Sequence, residues 1–367
     1  MTTSPPRADE PAQHADPPPG GDPAPPGPDH PDSIPVVDLS AAYRPESRAA
    51  VAAAVLAALR GVGAFHATGT LILPEHVSAV ADAFRPFFED WTEEQRAAYA
   101  AGDDDHGGRG YLARFAAGDE DDKDNEKPDQ LRSFVWHPYD PTLGLVPLSN
   151  LPQVSRPQDR SRDAWRHPNL VPDGLPGARA ALRVLAALFS AVRAEVLALL
   201  EEAAGWEPGR LASWMGHGPL ETVAVNHYQL TSGHRAGAVC LKPHTDFGAL
   251  TLNALDGHSG VAGLWYRGPS GQWHPAAEPP PGGVPIFAGR LLAAQVGLRA
   301  FEHFVRCGDG PAGGPNRMSV VGFGQPAVPA LVTTAEGDTR PSGEYYAEQI
   351  GRARFVADGG PVAAPAE

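Results

Sequence analysis

Apolar positions change their period once along this chain, and the change divides a helical half from a β-rich half. Between Gly177 and Ala204, the residues Leu182, Leu185, Phe189, Val192, Val196 and Leu199 recur at alternating spacings of three and four, the repeat of an amphipathic helix that Gly205 stops. Upstream, Val51, Val55, Leu56 and Leu59 share one face of a helix that runs to Arg60 and that Ser47 is placed to cap. A second helical stretch, residues 75–99, contains Pro86, whose missing N–H predicts a bend there. From Glu221 onward the runs become short, β-rich and broken by Gly and Pro: 223–230, 239–255, 263–267, 283–296, 300–307 and 318–323. Such spacing favours a β-sandwich or barrel, here preceded by packing helices. Residues 109–162, with their acidic run Asp119-Glu120-Asp121-Asp122 and scattered prolines, read as surface loops.

The first 31 residues hold 11 prolines and almost no large apolar side chains, too little to offset the entropy of ordering them. The organisation expected is a disordered tail over 1–32, one domain over 33–330 (helices and loops to 220, a β core over 221–326), and an extension over 331–367. At 42% hydrophobic residues in 367, the chain can bury a substantial core. The net charge of −15 argues against a nucleic-acid or anionic-membrane partner, which clustered Lys and Arg would grip. No apolar run approaches the length that crosses a bilayer, so a cytoplasmic protein is expected. The two cysteines, Cys240 and Cys307, are expected to be buried free thiols. Only three lysines occur, beside abundant Ala, Gly, Pro and Arg, the mark of a GC-rich coding sequence and an expectation of bacterial specialised metabolism.

The candidate chemistry centres on Lys242-Pro243-His244-Thr245-Asp246-Phe247-Gly248. In a strand, side chains two apart project to one face, so His244 and Asp246 can reach a single metal ion. By the same alternation Lys242 points to that side, at the pocket mouth, where it would pair with an acidic group of a substrate. Alone, a His-x-Asp pair among 14 histidines carries little weight.

The rest of the β region adds to it. His244-x-Asp246, Gly263-Leu264, Gly271-x-Trp273, His303-x-Val305 and Arg317-x-Ser319 follow one another in the order of the isopenicillin N synthase-like group of non-haem iron, 2-oxoglutarate-dependent oxygenases. Asn226-x-Tyr228 and the opening Ile34-Pro35-Val36-Val37-Asp38-Leu39 also resemble that group, so the likeness spans residues 33 to about 326. The resemblance implies a mainly β fold, a double-stranded β-helix or distorted jelly roll, with α-helices packed outside. It implies Fe(II) held by two His and one carboxylate, with three open positions for the keto and carboxylate oxygens of 2-oxoglutarate and for O2. Among the downstream histidines, His258 lies in an Asp-Gly-His-Ser-Gly turn and His274 follows Trp273; His303 stands where the motif puts the third ligand.

On that resemblance, His244, Asp246 and His303 form the catalytic metal set. Arg317 and Ser319, on one strand face, grip the far carboxylate of 2-oxoglutarate, and Asn226 and Tyr228 bond the cosubstrate or substrate. Substrate contacts are expected from Arg109 and Tyr111 in a Gly-rich turn, from Ser133, from Lys242 and from Phe323. The sequence departs from the group's pattern where Gly289 is followed by Arg290 rather than Asp, and in a long Gly/Pro-rich loop after Cys307. The expected function is oxidation of a small molecule, by hydroxylation or a related C–H reaction. The alternatives are an iron oxidase that dispenses with 2-oxoglutarate, a catalytically silent binding protein of the same fold, and a zinc hydrolase, in which Arg317-x-Ser319 would have no place. No phosphate-binding loop or nucleophile elbow occurs.

Overall fold

Two β-sheets face each other, and helices cover the outer face of the larger one. The computed structural model describes residues 24–100, 108–114, 131–138, 169–216, 221–228, 239–256, 263–306 and 316–357. In chain order the strands are β1 (Val36–Asp38), β2 (Ala64–Thr68), β3 (Gly110–Arg114), β4 (Leu131–Trp136), β5 (Thr222–Tyr228), β6 (Val239–Thr245) and β7 (Leu250–Leu255). They continue with β8 (Leu264–Arg267), β9 (Trp273–Pro275), β10 (Val284–Ala288), β11 (Glu302–Arg306), β12 (Arg317–Phe323), β13 (Leu331–Thr333) and β14 (Thr339–Pro341). The helices are α1 (Pro45–Gly61), α2 (Pro74–Glu89), α3 (Glu93–Ala97), α4 (Ala178–Ala204), α5 (Arg210–Met215), α6 (Arg290–Val296) and α7 (Ser342–Ala357). The larger sheet runs β1-β2-β10-β7-β12-β5-β4-β3, the smaller β6-β11-β8-β9, and β13 pairs with β14 alone. Non-sequential order of this kind, with helices on one side, is the distorted jelly roll that the resemblance implies.

Strand alternation sorts the larger sheet's side chains into two cores. Val223 and Val225 of β5, Leu250, Leu252 and Ala254 of β7, Val284 and Ile286 of β10, and Met318 and Val320 of β12 face outward. There they meet Phe84, Phe87 and Phe88 of α2 and Leu182, Leu185 and Phe189 of α4. A smaller cluster lies between the sheets, where Leu131, Tyr228 and Phe287 meet Cys240, Tyr266 and Val305 of the smaller sheet. The space between the sheets therefore carries apolar filling and polar side chains together.

Helix α4 matches its periodicity to within one residue and ends at Gly205, whose φ of 67° is open to glycine at little cost. Arg48 of α1 bridges Glu195 at 2.7 Å and Glu202 at 2.8 Å, tying α1 along α4. Elsewhere the expected boundaries shift. Ser47 does not cap α1; Pro45 occupies its first turn and Ser47 Oγ reaches back to the Ala41 carbonyl at 2.6 Å. The chain passes through Pro86 without ending there, leaves α2 at Asp90, and restarts as α3 because Thr92 and Gln95 form a reciprocal capping box. Residues 110–114 and 131–136, expected as loops, are strands that extend the larger sheet; the intervening acidic run lies outside the described residues. The run 283–296 is half strand and half helix, since Arg290–Val296 is built of good helix formers.

Order also begins before Ser33. Asp32 is buried, and its carboxylate accepts hydrogen bonds from the Ser270 hydroxyl, the Ser270 N–H at 3.0 Å and His274 Nε2 at 2.8 Å. The Tyr266 hydroxyl donates to its carbonyl at 2.8 Å, so the incoming segment is fastened onto the β8–β9 hairpin. Cys240 is not a free thiol: it is disulfide-bonded, and the chain's other cysteine, Cys307, lies outside the described residues. Among the described residues, no helix is long and apolar enough to cross a membrane.

Two histidines are buried as neutral rings. Burial pushes both His66 of β2 and His227 of β5 down from 6.5 to about 4; Glu89, 3.4 Å from His227, pulls the other way without reversing it. His227 stacks on Phe88 with ring centroids 5.2 Å apart, and neither nitrogen of His66 has a partner. The unfolded chain takes up these protons near pH 6.5 whereas the folded chain resists until about 4, so stability falls as pH drops through that window. Urea unfolding compared at about pH 7 and about pH 5 should show a loss of roughly 2 kcal/mol from His66 alone, with His227 adding in the same direction. His66→Gln should flatten that dependence; an unchanged pH slope would show that His66 does not contribute.

Candidate functional site

The site is built where the smaller sheet hands the chain to the larger one. β11 pairs antiparallel with β6, and the register sets His303 directly opposite His244. Their ring centroids stand 4.3 Å apart. Each imidazole is tied through Nδ1 to a backbone carbonyl two residues upstream, His244 to Lys242 at 2.8 Å and His303 to Phe301 at 3.1 Å. That bond fixes the tautomer with a proton on Nδ1, which leaves Nε2 as a lone-pair donor. Phe287 and Phe301, stacked with centroids 4.4 Å apart, back the His303 ring at 5.3 and 5.5 Å.

Asp246 completes the group. One carboxylate oxygen lies 3.9 Å from His244 Nε2, and the other, Oδ2, is buried with no hydrogen-bond partner. One donor atom from each of His244, Asp246 and His303 lies within 4.8 Å of the others. The turn that carries Asp246 is clamped by backbone bonds: Arg290 N–H to the Asp246 carbonyl at 2.8 Å, Leu291 N–H to the Gly248 carbonyl at 3.0 Å, and Ala249 N–H to the Gly324 carbonyl at 2.8 Å. This clamp needs glycine. A Cβ on Gly289 would stand 2.3 Å from the Gly248 oxygen, and one on Gly248 would stand 2.6 Å from the Gly324 oxygen.

Across the gap, β12 pairs with β5 so that Arg317 faces Tyr228 and Ser319 faces Asn226. The guanidinium lies over the Tyr228 ring, 4.8 Å from its centroid. Arg317 and Ser319 are almost wholly buried, and Nε and Nη1 of the arginine and Oγ of the serine have no partner. Burial pushes the Arg317 guanidinium below its ordinary pKa. A buried cation with two unmet N–H groups is costly unless an anion meets it. Ser133 of β4 lies opposite Asn226 and donates to its Oδ1 at 2.7 Å.

A family model described as the non-haem dioxygenase in morphine synthesis N-terminal region matches residues 34–174. Validamycin A dioxygenase from Streptomyces hygroscopicus subsp. limoneus is 31% identical over 238 residues. The match takes in 63% of this chain and 60% of that protein, so the chain spans under two thirds of the curated relative's length. Among solved structures, a 2OG-Fe(II) oxygenase family protein from Caulobacter crescentus superposes with a TM-score of 0.68 at 21% identity, over 87% of this chain and 99% of that one. A Neurospora crassa protein, solved at full length in complex with alpha-KG and thymine, superposes with a TM-score of 0.67 at 20% identity, over 87% and 96%. The chain is thus similar in sequence to non-haem dioxygenases and shares the fold of 2OG-Fe(II) oxygenases.

The residues present fit the iron and cosubstrate that the resemblance implies. Two neutral imidazoles and a carboxylate with an unmet oxygen form a mixed nitrogen and oxygen donor set suited to Fe(II). Arg317 and Ser319 offer unmet donors to a carboxylate.

The remaining expected residues separate into three groups. Asn226, Tyr228, Ser133 and Phe323 share the inward faces of β5, β4 and β12 with Ser319 and Arg317. Lys242 is exposed on β6, and Arg109 is fully buried in the approach to β3. Tyr111 faces the other way: it pairs with Phe134, packs edge-on against Phe87, and donates to Glu93 Oε1 at 2.7 Å. That places it in the helix-facing core rather than beside the site, a correction to the expectation for a dioxygenase pocket residue. Its side follows from β3 pairing in register with β4, which the sequence does not reveal.

Missed altogether were the clamp glycines and Asn253 of β7, whose Oδ1 is buried and unpartnered. The signal for the clamp was visible as Gly289-Arg290, where the resembled group has Gly-Asp; the clamp uses only the backbone N–H of position 290, which any residue but proline supplies, while the Arg290 side chain reaches Gln349 at 3.0 Å. Gly289→Ala should force the Asp246 turn away and weaken metal binding by roughly tenfold, the scale of supporting-residue losses at metal sites. Anaerobic Fe(II) titration measures it, and an unchanged affinity would show that the turn accommodates the methyl group.

Proposed function

We propose that the protein is an Fe(II)- and 2-oxoglutarate-dependent oxygenase that oxidises a C–H bond of a small molecule, most simply by hydroxylation. The observation that carries this reading is a single juxtaposition: a preformed His244, Asp246, His303 donor set with an unmet carboxylate oxygen, and a buried Arg317 and Ser319 with unmet donors between the same two sheets. With iron bound, the site would couple decarboxylation of 2-oxoglutarate to oxidation of the substrate by O2.

The chain's own residues do the positioning. Nε2 of His244 and His303 and one or both oxygens of Asp246 would hold the ion on one side. The Nδ1–H bonds to the carbonyls of Lys242 and Phe301 keep those rings oriented before the metal arrives. Arg317 would hold the far carboxylate of 2-oxoglutarate and Ser319 would add a hydrogen bond. Asn226, Ser133 and Phe323 line the approach. Phe287 and Phe301 exclude water behind His303, which strengthens each charged contact. For the substrate, the polar inward side chains of β4, β5 and β7 favour a small polar metabolite; the names of a relative that acts on validamycin A and of a neighbour solved with thymine are in keeping with this.

Anaerobic addition of Fe(II) and then 2-oxoglutarate should produce the weak visible charge-transfer band of a chelated α-keto acid. His244→Ala and Asp246→Ala should abolish it. Arg317→Met should leave iron binding intact while weakening 2-oxoglutarate by roughly 10- to 100-fold, the worth of a charge-assisted pair. Iron binding with no band would replace this reading by that of an oxidase independent of 2-oxoglutarate.

A further inference from the structure

One transverse row of the larger sheet carries Ser133 of β4, Asn226 of β5 and Ser319 of β12, each directly opposite the next in the ladder. All three side chains are buried. A primary amide has an acceptor end and a donor end, and the two must be told apart by their surroundings. Ser133 Oγ donates to Asn226 Oδ1 at 2.7 Å, which occupies the acceptor end. Among the described residues, nothing in the protein engages Asn226 Nδ2. Beside it on the same face lie the unpartnered Ser319 Oγ and the unpartnered Nε and Nη1 of Arg317.

We propose that Ser133 is a positioning residue, whose hydroxyl holds the Asn226 amide oxygen so that Asn226, Ser319 and Arg317 are ready to present donors to a dicarboxylate cosubstrate. This rests on the 2-oxoglutarate reading above and assigns Ser133 a role toward the cosubstrate rather than contact with the substrate. The physical reason is the sign of the alternative. With the amide reversed, Oδ1 would set its lone pairs against a carboxylate, and a donor to the anion would become a repulsive neighbour. The Ser133 hydroxyl can rotate to serve either end of an amide, so the discrimination is completed when the anion meets Nδ2, and Ser133 removes the cost of turning the amide at that moment.

The test is calorimetric binding of 2-oxoglutarate to the anaerobic Fe(II)-loaded protein, with Fe(II) affinity and thermal midpoint measured alongside. Ser133→Ala should weaken 2-oxoglutarate by about three- to tenfold, the range of one net hydrogen bond, while iron affinity and thermal midpoint stay as in the parent. Ser133→Thr, which keeps the hydroxyl, should bind within about twofold of the parent. In an Asn226→Ala background, Ser133→Ala should add nothing, because its effect runs through the amide. An equal loss in both backgrounds overturns the proposal, and so does a Ser133→Ala protein that binds as the parent does or that loses iron and thermal stability together. A parent protein that binds iron but no 2-oxoglutarate overturns the cosubstrate reading itself, and this one with it.

Discussion

The antiparallel pairing of β6 with β11 is the constraint from which the site follows. It brings two imidazoles, far apart in sequence, directly opposite each other across one ladder. Each ring is held by a hydrogen bond to its own strand's backbone, so orientation is settled by folding and not by the ion. Asp246 can join them only because the chain leaves β6 at that residue. The turn it enters is gripped on both sides by backbone, against Gly289 where α6 begins and against Gly324 where β12 ends. A donor set assembled in this way loses little conformational freedom on binding, which is the general advantage of a preorganised site.

Much of this was legible before any coordinates. A period of two near His244 and Asp246, and again at Arg317 and Ser319, says which side chains share a face; the register of β12 on β5, which the structure adds, puts Tyr228 and Asn226 beside them. The long periodic helix α4 was recovered almost to the residue, since its apolar stripe has a whole sheet to pack upon. What the residues did not disclose depends on partners distant in sequence. β3 and β4 flank an acidic, proline-bearing stretch and owe their strand conformation to pairing with β5, not to their own composition. Tyr111 was placed on the wrong side for the same reason, because alternation says which residues share a face but not which face is inward. Asp32 looked like the end of a tail, since its partners Ser270 and His274 lie far along the chain. The disulfide at Cys240 likewise depends on proximity that spacing alone does not report.

Several of the buried polar groups without partners gather in the space between the sheets. Asp246 Oδ2, Asn253 Oδ1, Ser319 Oγ and two nitrogens of Arg317 would be faults in an apolar core. Gathered around one gap, they are better understood as capacity held for a ligand, and the cost of keeping them is offset by the far larger helix-facing core on the outer side of the same sheet. His66 differs, being buried as a neutral ring, and contributes a sensitivity to acid instead.

Strand β12 serves both faces at once. Arg317, Ser319 and Phe323 alternate with Met318 and Val320, so site and core are written in the same seven residues as interleaved letters. Inserting or deleting a single residue there would exchange the two sets, driving a guanidinium into the helix-packed interior and a methionine toward the ligand. Diversification of such a scaffold is therefore confined to substitutions that respect parity and to length changes in loops that transmit no register. The strand is in effect a reading frame, and one that tolerates changes of letter far better than changes of phase.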